Sequence, residues 1–370
     1  VGLNYSDDTW MFNASLGMTP QKRAIERKMG KLYADTTMHT IDFQPMIWVN
    51  WKKKEARITF NYSGRTRQPS LSDLMPLTDN SNPLYITRGN PDLKQMFSHS
   101  VRVSFQHSKK GISANIGGQM EQNSVTQVVL YDAKTGGRET SPININGNWN
   151  LFGIVGTNTA LRNKKYTINT FTRTNYQNMV SYISDKNITA DTDKNTTKRL
   201  SLGERLRGTY RNDWWELSLN GSIDYTHSRN NYQKSNNMDT YQFAYGASTN
   251  IRLPWNMSIS TDISQNSRRG YVDASMNRDE LIWNAQLSQD FLKGNAATIS
   301  VQFYDILHNQ SNISRTISAA MRQDTEYNAI YSYCMIHFIY RLNLFGGKNA
   351  TPPNGPGFGG GPHGRGPRHF

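Results

Sequence analysis

The stretch that decides the fold reads Trp215-Glu216-Leu217-Ser218-Leu219-Asn220-Gly221-Ser222-Ile223-Asp224-Tyr225-Thr226. Its odd positions, Trp215, Leu217, Leu219, Gly221, Ile223 and Tyr225, are apolar. Its even positions, Glu216, Ser218, Asn220, Ser222, Asp224 and Thr226, are all polar. Side chains of an extended strand point to alternate faces, so a period of two gives one greasy and one wet face. The apolar row opens on Trp and closes on Tyr.

Working outward, the same pattern recurs. Leu281, Trp283, Ala285, Leu287 and Phe291 stand against Asn284, Gln286, Ser288 and Asp290. Trp10, Phe12, Ala14, Leu16 and Met18 stand against Asn13 and Ser15. Ile330, Cys334, Ile336, Phe338, Tyr340, Leu342 and Leu344 form a row near the end. A soluble β-sandwich also alternates. The polarity of the second face, the length of the strands and the terminal Trp and Tyr favour a transmembrane β-barrel, whose aromatic residues gird the headgroup boundaries.

Composition agrees. Of 370 residues 36% are hydrophobic, and the mean hydropathy is −0.70. No run approaches the roughly 20 apolar residues of a membrane helix. A barrel strand spends only alternate residues on lipid, so it tolerates that hydropathy. Nineteen Tyr and eight Trp supply an interfacial girdle. The net charge of +14 is spread over turns and loops rather than one face, so nucleic acid is not an expected partner. The single cysteine, Cys334, excludes an internal disulfide.

Short connections at Ser6–Asp8, Lys52–Glu55, Ser108–Gly111, Arg162–Lys165, Arg211–Asp213, Pro254–Asn256 and Lys293–Asn295 alternate with long ones. The long ones lie near 28–39, 64–98, 133–142, 179–197, 228–239, 266–279 and 311–326. Outer-membrane barrels keep this rhythm, with short periplasmic turns and long outer loops. The expectation is an all-β antiparallel barrel of about 15 strands. An odd number does not close such a barrel, so these strands read as part of one with about 22. The barrel portion is expected over residues 1–347 and a Gly/Pro-rich flexible periplasmic tail over 348–370. No export signal opens the chain at Val1, so it reads as a C-terminal piece of a longer precursor, with the missing strands expected upstream.

One loop has a distinctive run: Arg67-Gln68-Pro69-Ser70, Leu74, Pro76, Asn82-Pro83 and Gly89-Asn90-Pro91-Asp92-Leu93. Phe291-Leu292 leads into Tyr304-Asp305-Ile306-Leu307-His308-Asn309-Gln310, and the strands close on Tyr340-Arg341-Leu342-Asn343-Leu344-Phe345. In order and spacing these pieces, over Val1 to Gly347, resemble the outer-membrane β-barrel family of Bacteroidota that is similar to TonB-dependent receptors. The resemblance implies a barrel around an N-terminal plug, with energised uptake of a scarce solute. It also implies a TonB-type energy-coupling protein acting through the upstream part, and relatives often carry a carboxypeptidase-regulatory-like β-domain before the plug. Further expected partners are outer-membrane lipid and lipopolysaccharide, and a surface lipoprotein. Arg67, Pro69, Ser70, Asn82, Pro83, Gly89, Asn90, Pro91 and Leu93 are the candidate site residues, ordering the mouth or gating a ligand. Their prolines restrict the backbone and Gly89-Asn90 suits a turn, which favours ordering over direct contact.

Other chemistry fails on spacing. Asp191-Thr192-Asp193-Lys194-Asn195 imitates a calcium loop, but Thr196 stands where glycine is required and Leu202 where the final acid belongs. His363 and His369 in the tail read as solvated rather than metal-binding. His99, His107, His308 and His337 lack a serine or carboxylate in a recognisable motif, and Asp7-Asp8 fit a tight turn. No phosphate-cradling glycine loop or CxxC occurs. No enzyme, metal or cofactor is expected. Asp305 interrupts the apolar row Ala297, Ile299, Val301, Phe303 and Leu307, so it is expected at the outer interface or turned inward by a bulge. An uptake barrel leads; a structural, assembly or adhesin-type barrel without active transport is the alternative, and a soluble β-rich binding protein a third.

Overall fold

The computed structural model describes residues 1–29, 32–76, 78–131, 136–161, 164–184, 194–232, 234, 237–272, 274–311, 313–317, 322–327 and 330–341. The chain opens with β1 (Gly2–Ser6), β2 (Trp10–Met29), β3 (Leu32–Lys53) and β4 (Ala56–Arg67). The first long loop holds α1 (Leu71–Leu74), β5 (Thr78–Asp79) and β6 (Tyr85–Arg88). β7 (Met96–His107) and β8 (Ile112–Gln122) follow, then a loop hairpin, β9 (Ser124–Tyr131) with β10 (Arg138–Ile145). β11 (Trp149–Leu161), β12 (Tyr166–Ser184), β13 (Lys194–Arg211), β14 (Trp215–Asn230) and β15 (Met238–Arg252) come next. β16 (Met257–Arg269), β17 (Asp279–Phe291) and β18 (Ala297–Tyr304) lead to a hairpin of β19 (Ile313–Ile317) and β20 (Arg322–Glu326), then β21 (Tyr333–Tyr340).

β1 to β4, β7, β8, β11 to β18 and β21 form a 15-strand antiparallel sheet in which each strand pairs with the next of its set. That is the strand number the turn rhythm predicts. β1 pairs with β2 and β21 with β18, so the sheet is open between its first and last strands.

Register aligns the two rows across strands. Gly208, Leu219, Ala247, Ile263 and Trp283 lie side by side on one face. Thr209, Ser218, Ser248, Asp262 and Asn284 do so on the other. Leu219 is 59% exposed whereas Ser218 beside it is 1% exposed. This is the reverse of a water-soluble sandwich and fits a sheet whose apolar face is solvated by lipid. Polar residues of that face pair across strands: Ser218 Oγ meets Thr209 Oγ1 at 2.9 Å, and Asn284 Nδ2 donates to Asp262 at 2.9 Å. Glu204 breaks the apolar row of β13 and accepts a hydrogen bond from Thr172 opposite it.

Aromatic pairs bracket that face. Near the short turns Trp10 meets Trp51, and Tyr210 contacts both Tyr166 and Trp215. Towards the long loops Trp149 meets Tyr176 and Tyr225 meets Tyr241. The ten steps from Trp215 to Tyr225 cover about 33 Å of strand at roughly 3.3 Å per residue. Tilted by about 40°, that spans about 25 Å, the height of an outer-membrane apolar band.

The short turns use local chemistry. Asp7 Oδ1 accepts from the Thr9 and Trp10 amides at 2.7 Å each, and Asn212 Oδ1 from Trp214 at 3.1 Å and Trp215 at 2.7 Å. Lys54, Gly111, Lys164, Asn256 and Asn295 take left-handed conformations at the others. The opposite end differs from the sequence expectation in three places. The described residues of 28–39 are strand rather than loop: β2 and β3 continue as a paired ribbon to Met29 and Leu32. Residues 138–142 of the expected 133–142 loop belong to β10, which pairs with β9. The 311–326 loop contains the β19–β20 hairpin. Asp191 to Asp193 of the calcium-like run, and the tail with His363 and His369, lie outside the described residues.

Asp305 lies just past the long-loop end of β18, not in a bulge of the strand, and is buried rather than turned to lipid. β18 ends at Tyr304, and a left-handed Asp305 (φ 43°) turns the chain, leaving its side chain 2% exposed. Its carboxylate accepts from the Asn309 amide at 3.1 Å and the Gln310 amide at 2.9 Å. It caps the start of the last long loop.

Candidate functional site

The run from Arg67 to Leu93 folds as a small cap. At the exit of β4, Gln68 Nε2 donates to Asp42 Oδ1 at 2.5 Å and to Gln95 Oε1 at 3.1 Å. Pro69 is buried, and its carbonyl accepts from Arg23 at 3.0 Å. Register puts Arg23 and Asp42 on the polar face of β2 and β3, in line with Ser15 and Gln44. The chain therefore leaves the sheet toward the polar side. Ser70 caps α1 by accepting from the Asp73 amide at 3.1 Å.

Leu74, Met75 and Leu93 form a buried apolar knot, with Met38 of β3 and Val125 of β9 packed on it. Gly89 closes the knot: a β-carbon there would sit 1.7 Å from the Met75 carbonyl oxygen, so no other residue fits this backbone. The Asn90 amide donates to Asp73 O at 2.6 Å, and Asn90 Nδ2 reaches Pro142 O at 2.9 Å. Asn90 Oδ1 accepts from the Asp92 amide at 3.0 Å, across the exposed Pro91.

A second layer ties the cap to the rim. β6 pairs in parallel with β10, β10 with β9, and β9 in parallel with β12 at Ile183 and Ser184. Lys94 and Asn144 exchange hydrogen bonds of 2.7 and 2.9 Å. Arg88 pairs with Glu139 at 3.2 Å, and Arg138 lies 4.6 Å over the Tyr85 ring. Asn82 Oδ1 turns the chain by accepting from Leu84, with Pro83 exposed in that turn.

Of the predicted site residues, Pro69, Ser70, Gly89, Asn90 and Leu93 converge on this knot. Asn82 and Pro83 stand apart at an exposed turn, and Arg67 is exposed at the end of β4, in register with Met96. The β9–β10 hairpin and its Asn144 were missed. The run Ser124 to Tyr131, rich in β-branched residues, and the turn-forming Asn146-Gly147-Asn148 were the available signals. No group of three or more His, Cys, Asp or Glu that could hold a metal occurs among the described residues. His337 lies opposite Ser300 on the polar face, and its Nε2 has no hydrogen-bond partner among the described residues.

An open-ended sheet with a lipid-facing apolar side, aromatic girdles, short turns at one end and a folded cap at the other defines an outer-membrane β-barrel. The chain belongs to the outer membrane protein beta-barrel family, whose sequence profile matches residues 4–178 and 155–340. No curated protein matches it. A bacterial polysaccharide outer membrane secretin aligns with 9% identity over 91% of this chain and 86% of that one. Its TM-score of 0.31 is too low to bear on the function of this chain.

Proposed function

We propose that this barrel is a TonB-dependent-receptor-like uptake receptor of a Bacteroidota outer membrane. Its outer loops capture a nutrient and its polar interior passes the nutrient inward. The carrying observation is the cap: a loop with its own apolar knot, anchored to Arg23 and Asp42 on the polar face of the sheet. A loop that merely joined two strands has no need of a core or of inward anchoring.

In this reading the short turns and the C-terminus face the periplasm, and lipopolysaccharide surrounds the rim. A TonB-type protein supplies energy through a plug encoded upstream, and a surface lipoprotein assists capture. The barrel binds and translocates; it performs no catalysis. Growth of a deletion strain is compared with its parent across single carbon and metal sources. Slower growth on a specific source supports the reading, and unchanged growth on every source overturns it. A precursor without a plug or coupling segment upstream of residue 1 would also sink it.

A further inference from the structure

The polar face is unevenly charged. β4 brings Arg57 and Arg65 to it, β7 brings Arg102, β12 Arg173, and β13 Arg205 and Arg207, each in register with that face. The neighbouring strands β4, β7, β8, β11, β12 and β13 place one carboxylate there, Glu121. Glu204 of β13 lies on the other face, opposite Ile223. Further along, the balance reverses: β16 and β17 present Asp262, Glu280 and Asp290, and Arg268 is paired with Glu280 at 3.3 Å.

Few of these guanidiniums are neutralised. Arg173 pairs with Asp224 of β14 at 2.6 Å. Arg207 donates to the neutral Ser218 hydroxyl at 3.1 Å. Arg102 lies 5.4 Å over the Phe152 ring, which reaches it across Gly117, where a β-carbon would meet that ring at 2.6 Å. Arg57, Arg65 and Arg205 form no ion pair among the described residues.

Keeping the face wet does not demand this. β15 and β18 do it with Gln242, Ser248, Asn250, Ser300 and Gln302. Guanidinium stays charged at every physiological pH, and its planar fork matches carboxylate and phosphate oxygens two at a time. Arginine lining a pore selects anions, and a low-dielectric wall focuses the field of fixed charges into the lumen.

We infer that the wall from β4 to β13 binds the carboxylate or phosphate groups of an anionic solute, so that the cargo of this barrel is acidic. The inference rests on the uptake reading for its cargo, but its test does not. Detergent-solubilised protein is titrated calorimetrically with trigalacturonic acid, its neutral methyl ester and inorganic pyrophosphate, at low and moderate salt. The acid or pyrophosphate binds at least tenfold tighter than the ester, and more weakly as salt rises. Arg205→Gln with Arg207→Gln weakens the anion at least tenfold and leaves the ester unchanged. Retained heat-dependent gel mobility identifies a folded variant, and Arg102→Gln serves as a second variant if that pair fails to fold. Tighter pyrophosphate assigns phosphate as the preferred group, and tighter acid assigns carboxylate. Equal affinity for acid and ester, no binding of either anion at millimolar concentration, or folded variants with unchanged affinity overturns the inference. Anion binding with no growth defect in the deletion strain sinks the uptake reading and leaves this one. A defect confined to neutral sources does the reverse.

Discussion

The guanidinium of Arg173 reaches the carboxylate of Asp224 at 2.6 Å across β13, the strand that separates them. The residue between is Gly203, where a β-carbon would lie 2.5 Å from Asp224 Oδ1 and 2.7 Å from Arg173 Nε. The missing side chain is what lets an ion pair span three strands. Arg173 is half exposed, so the pair itself contributes less than about 1 kcal/mol after solvent screening. A side chain in the gap breaks the pair and must also push both charged groups aside. Gly203→Leu is therefore expected to destabilise the barrel more than Arg173→Ala, measured by urea titration in lipid vesicles. Equal losses from the two would contradict the role given to the glycine.

The inverted burial of Leu219 and Ser218 predicts the response to charge on each face. Leu219 lies midway between Trp215 and Tyr225 on the lipid side. Leu219→Arg should cost about 2–4 kcal/mol, as cations do at the bilayer midplane of such barrels. Asn220→Arg, its neighbour on the polar face, should cost less than about 1 kcal/mol. Folding yield into vesicles, scored by heat-dependent gel mobility, ranks the two. A water-soluble sheet that left Leu219 59% exposed to solvent would tolerate arginine there.

The membrane strands were legible because lipid imposes a period of two on every strand crossing it, and Trp215 to Thr226 obeys it without exception. Beyond the headgroups that constraint lapses. Lys22, Arg23, Glu26, Arg27 and Lys28 look like a loop, yet β2 continues through them, paired residue by residue with β3. Loss of alternation marks where a strand leaves lipid, not where it ends. The motif loop was legible as backbone chemistry, through Pro69, Gly89 and Asn90. Its packing partners were not, since Met38 and Val125 come from distant segments and a short-range pattern carries no record of them. Asp305 misled for a related reason: parity places it on the lipid side, and one left-handed residue cancels parity.

Gly89 offers a local test of the cap. Gly89→Ala places a methyl group against the Met75 carbonyl, and the knot of Leu74, Met75 and Leu93 has to open to accept it. The barrel strands do not depend on that contact. The expected outcome is faster proteolysis between residues 68 and 95 in reconstituted protein, with heat-dependent mobility unchanged. Cleavage at the wild-type rate would mean that the cap does not rest on this close approach.

The turn between β1 and β2 should make one part of the stability depend on pH. The amides of Trp10 and Thr9 and the Tyr5 hydroxyl donate to Asp7, which holds its carboxyl below the ordinary carboxylate range. The folded state thus binds the proton more weakly than the unfolded chain, whose aspartate titrates near about 3.9. The carboxylate's contribution is present above that value and is lost as pH falls through the lower, folded one. Asp7→Asn removes the titrating group. The variant should melt below the wild type at pH 7, and the two should converge as the buffer is taken from about pH 5 to pH 2, followed by the temperature of the gel-mobility shift. A gap that persists unchanged across that range would show that the carboxylate charge is not what stabilises the turn.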